Sequence, residues 1–116
     1  MLASLAMSSR LSIVLVTAAL AALLLGTGCQ AVVGDACEIN TDCGTEMYCE
    51  RSMPEGYCTV KSCEVIGCPD YGVCVSFDLD QSYCMDPCDT ATDCREGYVC
   101  VTDFGPHPFC NAVEAP

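Results

Sequence analysis

Cysteine is the side chain with the most chemistry to offer here: there are 13 in a chain of 116 residues. A thiolate can ligate metal, attack a carbonyl or close a disulfide, and spacing separates these uses. Paired Cys-x2-Cys knuckles, the mark of zinc and iron–sulfur sites, do not occur; the shortest gap is three residues, between Cys84 and Cys88. A hydrolase needs a base beside its nucleophile. The single histidine, His107, lies between Pro106 and Pro108 and reads as an exposed turn residue. No HExxH, G-x-S-x-G or P-loop pattern is present. Paired carboxylates would need a cleft to raise one pKa, and so small a chain has little interior to form one. The expectation is a protein that is not an enzyme, with no catalytic residue, no cofactor and no metal ligand. Asp78, Asp80, Asp86 and Asp89 place hard oxygen ligands on loops, but without EF-hand spacing. They read first as a solvated acidic surface; a freely secreted calcium-dependent or ligand-binding module is the alternative.

Disulfide chemistry fits the pattern far better. Twelve cysteines fall into three blocks: Cys37, Cys43, Cys49 and Cys58; Cys63, Cys68, Cys74 and Cys84; Cys88, Cys94, Cys100 and Cys110. The gaps within them are 5, 5 and 8, then 4, 5 and 9, then 5, 5 and 9, and block starts recur after 26 and 25 residues. Flanking residues repeat as well. Tyr57, Tyr83 and Phe109 precede the fourth cysteines, and Asp42 and Asp93 precede the second cysteines of the outer blocks. Repetition at this period implies strung or stacked modules. Each block is too short to bury a useful core alone, since domains below roughly 40 residues usually need disulfides, metal or association. A bridge stabilises by about 2–4 kcal/mol. Four cysteines permit three pairings and spacing does not choose among them. Pairing inside blocks, first with third and second with fourth, is the working expectation.

The elements that must position these sulfurs are short. Ser52-Met53-Pro54-Glu55-Gly56 is turn chemistry between segments suited to strands, and residues 98–110 repeat the plan. The fold class expected is small and disulfide-rich, with three tandem four-cysteine β-hairpin modules at 37–58, 63–84 and 88–110 and little helix after the leader. Residues 59–62 and 85–87 read as brief linkers and 111–116 as a loose tail. Each aromatic before a fourth cysteine is expected to pack on its own disulfide as a miniature core.

Residues 1–28 are a different material. They hold one charge, Arg10, and an apolar run over 11–25 interrupted by Ser12 and Thr17. A basic start, an apolar core and small residues behind it read as a secretory signal peptide. The run would span about 22 Å as a helix, short of a hydrocarbon core of roughly 30 Å. Beyond Cys29 only Arg51, Lys61 and Arg95 stand against 16 acidic residues, a formal charge of −13. Such charge argues against nucleic acid and against peripheral binding to anionic lipid.

Two resemblances follow. Leu25-Gly26-Thr27-Gly28-Cys29 resembles the lipobox of bacterial lipoproteins, in which a small residue precedes a lipidated cysteine. Thr27 and Gly28 match, whereas Gly26 stands where that family carries an aliphatic residue. Cleavage after Ala31 is the competing outcome. Both leave 12 cysteines, an even number able to pair, and both avoid an odd thiol in an oxidising compartment. Lipidation at Cys29 is the favoured reading, with 29–36 as lipidated N-terminus and short linker. Residues 37–49, CEINTDCGTEMYC, resemble the opening of the Dickkopf N-terminal cysteine-rich domain through Cys37, Asp42, Cys43, Gly44, Glu46, Tyr48 and Cys49. The chain departs from that family in carrying three similar blocks and no colipase-like second domain. The resemblance implies a secreted, disulfide-stapled interaction module, and short repeats of this kind also resemble those of bacterial envelope lipoproteins. The expected protein is exported to the bacterial cell envelope, as an outer-membrane lipoprotein or alternatively secreted. It would meet the membrane through an N-terminal lipid, with an unidentified protein or glycan as partner.

Overall fold

The computed structural model describes residues 2–25, 29–69 and 71–113. The positions compared with the lipobox at Gly26, Thr27 and Gly28, and residues 114–116 of the expected tail, lie outside the described residues; Asn111 and Ala112, expected in that loose tail, instead end a paired strand, Phe109–Ala112. The apolar N-terminal stretch is one helix, α1 (Leu2–Leu25), rich in the strong helix formers Leu and Ala. Thr17 is accommodated there because its hydroxyl donates back to the carbonyls of Ile13, at 3.0 Å, and Val14, at 2.9 Å. Among the described residues no helix is long and apolar enough to cross a membrane.

The rest is small, disulfide-rich and built of antiparallel hairpins. β1 (Tyr48–Glu50) pairs with β2 (Tyr57–Thr59), β3 (Val73–Asp78) with β4 (Gln81–Met85), and β5 (Tyr98–Val101) with β6 (Phe109–Ala112). Among the described residues, helix after α1 amounts to α2 (Cys63–Ile66) and two 3-10 turns, Asn40–Cys43 and Ala91–Asp93. The hairpin registers place Cys49 opposite Cys58, Cys74 opposite Cys84 and Cys100 opposite Cys110. Residues directly opposite in a ladder point to the same face. Their sulfurs do not bond to one another. Six disulfides join Cys37 to Cys49, Cys43 to Cys58, Cys63 to Cys74, Cys68 to Cys84, Cys88 to Cys100 and Cys94 to Cys110. In each block the loop between the first two cysteines is thus clamped across one face of its hairpin by two adjacent bridges.

The loop conformation follows from one recurring side chain. The Asp42 carboxylate accepts the backbone N–H of Glu38, at 2.9 Å, and of Ile39, at 3.1 Å. Asp93 does the same for Asp89, at 2.9 Å, and Thr90, at 2.8 Å. Both satisfy donors at the start of a 3-10 turn that would otherwise lack partners. The middle block has no such aspartate and one residue fewer between its first two cysteines. It forms α2 instead, closed by Gly67 at φ 80°, whose N–H reaches the Cys63 carbonyl at 2.7 Å.

The segments read as linkers run beside the following hairpin through isolated bridges, Lys61 with Tyr83 and Pro87 with Phe109. The Cys84 N–H bonds the Val60 carbonyl at 3.0 Å and the Ser62 N–H the Ser82 carbonyl at 2.8 Å. The Cys110 N–H bonds the Asp86 carbonyl at 2.8 Å, and ahead of the first block Gly34 and Asp35 pair with Cys58, each bond being 2.9 Å. The strand leaving one hairpin therefore borders the next. The aromatics follow suit, against the expectation of separate miniature cores. Tyr57 and Phe109, 2% and 1% exposed, belong to one core with Val33, Val60, Val75, Met85 and Tyr98. The Tyr57 hydroxyl accepts the Asp86 N–H at 2.7 Å and donates to the Cys110 carbonyl at 3.5 Å, joining the first block to the third. Among the described residues, the four cysteines of the first block form a second cluster, with Ala31 beside it and Met47 packed against both.

Gly56 adopts φ 72°, and a Cβ there would lie 2.0 Å from the Cys37 carbonyl oxygen. Gly56→Ala should therefore abolish cooperative melting at ambient temperature or lower Tm steeply, whereas Gly44→Ala, with open space around its Cβ, should cost only its strained φ. The backbone N–H bonds to Asp42 and Asp93 hold both carboxyls below the ordinary value of 3.8. A depressed carboxyl contributes stability that is complete above its unfolded pKa and is lost as pH falls through the native one. Melting temperature should accordingly drop on acidification below about pH 4. An Asp42→Asn, Asp93→Asn double variant keeps an acceptor oxygen at each site and should show a flatter acid limb; an unchanged limb would exclude these caps as its source.

Candidate functional site

The segments that follow β2 and β4 border the next hairpin and bring side chains of different blocks together. An open groove of about 280 Å³ lies between the first two hairpins, with Asn111 of β6 among its lining residues. Met53 from the β1–β2 turn, Phe77 from β3 and Tyr83 and Met85 from β4 give it an apolar lining, with Glu50 and Asn111 among its polar residues. Phe77 is 37% exposed and Phe104 44% exposed; their rings stack at 5.8 Å, and both meet the buried Phe109 ring edge-on, at 5.7 and 6.3 Å. Methionine adapts to varied shapes and aromatic rings provide area at little entropic cost. The arrangement suits an apolar side chain presented by a partner. Glu50 is held ionised below the ordinary range, chiefly by the Ser52 hydroxyl and N–H, with burial opposing and Tyr48 and Lys61 assisting. Its charge therefore remains on this groove at neutral pH.

The sequence-derived candidates are distributed as follows. The thiol of Cys29 is free and exposed, and the other 12 cysteines are all bridged. His107 is exposed on the β5–β6 loop. Asp78 and Asp80 are exposed at the β3–β4 turn, where the Asp78 carboxylate accepts the Leu79 N–H at 2.7 Å. Asp89 is exposed, but Asp86 is half-buried. Burial raises the Asp86 pKa, the Asp35 carboxylate adds to the rise, and Arg95 opposes it while Asp93 adds. Among the described residues, the groups of three side chains close enough to share an ion are all cysteines, each engaged in a disulfide. Of the three aromatics before the fourth cysteines, Tyr57 and Phe109 are buried and Tyr83 is half-buried, and Tyr57 and Tyr83 both line the groove.

Arg95 was not singled out by motif, yet it holds the outer blocks together. Its guanidinium donates to the carbonyls of Gly34, at 3.0 Å, Pro54, at 3.3 Å, and Gly56. It lies 4.4 Å from the Tyr98 ring centre and 5.8 Å from that of Tyr57, and the Tyr98 hydroxyl donates to the Pro54 carbonyl at 2.8 Å. The signal available in the sequence was its rarity, one of three basic residues beyond Cys29. A planar fork of five donors is what several converging carbonyls require. Comparison with protein-family models, with curated proteins and with solved structures finds no match.

Because lysine cannot reproduce the fork, Arg95→Lys should destabilise the protein by about 1.5–3 kcal/mol, the range for hydrogen bonds to charged groups. Arg51→Lys, at an exposed position, should leave the urea midpoint unchanged. Equal midpoints for both variants would remove Arg95 from the interblock contact.

Proposed function

We propose that this is an exported bacterial envelope lipoprotein, anchored through Cys29, whose three four-cysteine blocks are tandem copies of one module that bind a partner or form structure at the cell surface without catalysing a reaction. The observation that carries the reading is the division of labour among the cysteines: twelve close six bridges, and Cys29, directly behind the apolar leader, is left with a free, exposed thiol. Bridges of this density persist in oxidising compartments. A lone thiol carried into such a compartment is a liability, and a thioether-linked lipid removes it. One acyl chain binds a membrane marginally, so stable anchoring takes further chains, as the lipoprotein resemblance implies. Recurrence of the bridge pattern, of the aspartate cap in the outer blocks and of the bordering strand supports the common module.

The groove between the first two hairpins is the binding surface this reading assigns. Its methionines and aromatics favour an apolar side chain of a protein partner over a glycan, and the charge of −13 beyond Cys29 favours a basic partner. Growth of a Gram-negative expression host with an alkyne fatty acid, followed by affinity purification, tests the anchor. The wild type should carry the label and partition with membranes, and Cys29→Ala should do neither. An unlabelled wild type would contradict the anchor and leave the freely secreted form as the better reading. In crosslinking on native cells, Phe77→Ser should remove any partner held by the groove, and because its ring also packs on Phe104 and Phe109 it should lower the melting temperature by the loss of those contacts.

A further inference from the structure

We infer that the face around Gln30, Val32, Met47 and Tyr71 rests on the lipid headgroups, so that the body sits down on the bilayer in a fixed orientation. This rests on lipidation at Cys29 and goes beyond it. The observation is how little chain separates the anchor from the folded body. Ala31 already packs against the disulfide cluster of the first block, and Val33 is 1% exposed in the shared core. The Val32 N–H is held by the Asp35 carboxylate at 2.9 Å, and Gly34 is bonded on both sides, to the Cys58 carbonyl at 2.9 Å and by Arg95 at 3.0 Å. Gln30 alone therefore separates Cys29 from the packed Ala31, two residue steps that reach about 7 Å even when extended. The polar layer of one leaflet is of the same thickness, roughly 5–8 Å. A body tied so closely cannot stand off on a flexible stalk.

What the tether brings to the surface fits that place. Gln30, Val32, Glu46, Met47, Pro69 and Tyr71 are among the residues lining an open groove of about 260 Å³ beside the anchor. Val32 is 41% and Tyr71 59% exposed. Tyrosine, with an apolar ring and a polar tip, is suited to the membrane–water interface. The net negative charge of the body opposes approach to anionic lipid, so a zwitterionic headgroup surface is the occupant this face takes, and the covalent tether supplies the proximity.

From this end β3, with its six residues, leads the chain about 17 Å away to the β3–β4 turn, where Leu79 is 95% exposed. The chain contains no tryptophan, so Tyr71→Trp and Leu79→Trp each introduce a single fluorophore at an exposed position. Both variants would be purified with their lipid verified by intact mass and reconstituted in phosphatidylcholine and phosphatidylethanolamine vesicles containing brominated acyl chains. Emission from Tyr71→Trp should be blue-shifted and quenched severalfold more than that from Leu79→Trp. Equal quenching, or none, in protein whose lipid is verified would overturn the orientation while leaving the anchor intact. A mass without lipid on Cys29 would overturn both together.

Discussion

Covalent sulfur is the constraint on which the rest of this molecule depends. The body beyond Cys29 carries a charge of −13 and repels itself, and its hairpins have strands of three to six residues. An isolated two-stranded hairpin is marginal in water. In each block the two bridges close loops of similar length, with sequence separations from 11 to 16. Loops of that size contribute about 3 kcal/mol apiece in the chain-entropy account. The clamped loop covers one hairpin face, which removes it from water. What remains exposed is the edge through which neighbouring hairpins communicate.

That communication makes the blocks more than beads. The strand leaving β2 borders β4, and the strand leaving β4 borders β6, so each peptide segment satisfies hydrogen bonds of two hairpins. Tyr57 and Arg95 then carry polar contacts between the first and third blocks across the shared core. The groove with Phe77, Tyr83 and Met85 is a consequence of this stacking, because no single hairpin supplies its walls. Function in this reading belongs to the assembly of blocks.

Much of the architecture was legible in residue spacing. The cysteine gaps marked the loops and hairpins, and the turn residues between third and fourth cysteines, Pro54 and Gly56 among them, fell where the chain reverses. The repeated Asp42 and Asp93 were visible as a pattern, but their work as acceptors for a turn's free N–H groups depends on the fold of the loop. Spacing left three pairings open per block, because every pairing is compatible with loops this short. The single core was illegible for a related reason. Tyr57 and Phe109 sit in equivalent local sequences, and nothing local distinguishes a ring that packs on its own disulfide from one that reaches across blocks. Arg95 was hidden likewise, since its carbonyl partners are 39 to 61 residues away in sequence.

The most direct test is a count of thiols in protein taken from its native compartment and unfolded without reductant. Cys37, Cys43, Cys49, Cys58, Cys63, Cys68, Cys74, Cys84, Cys88, Cys94, Cys100 and Cys110 should all be silent to alkylation until a reductant is added. Twelve reactive thiols at the outset would contradict the account, because a core of so few side chains does not hold hairpins this short and this acidic together without the bridges.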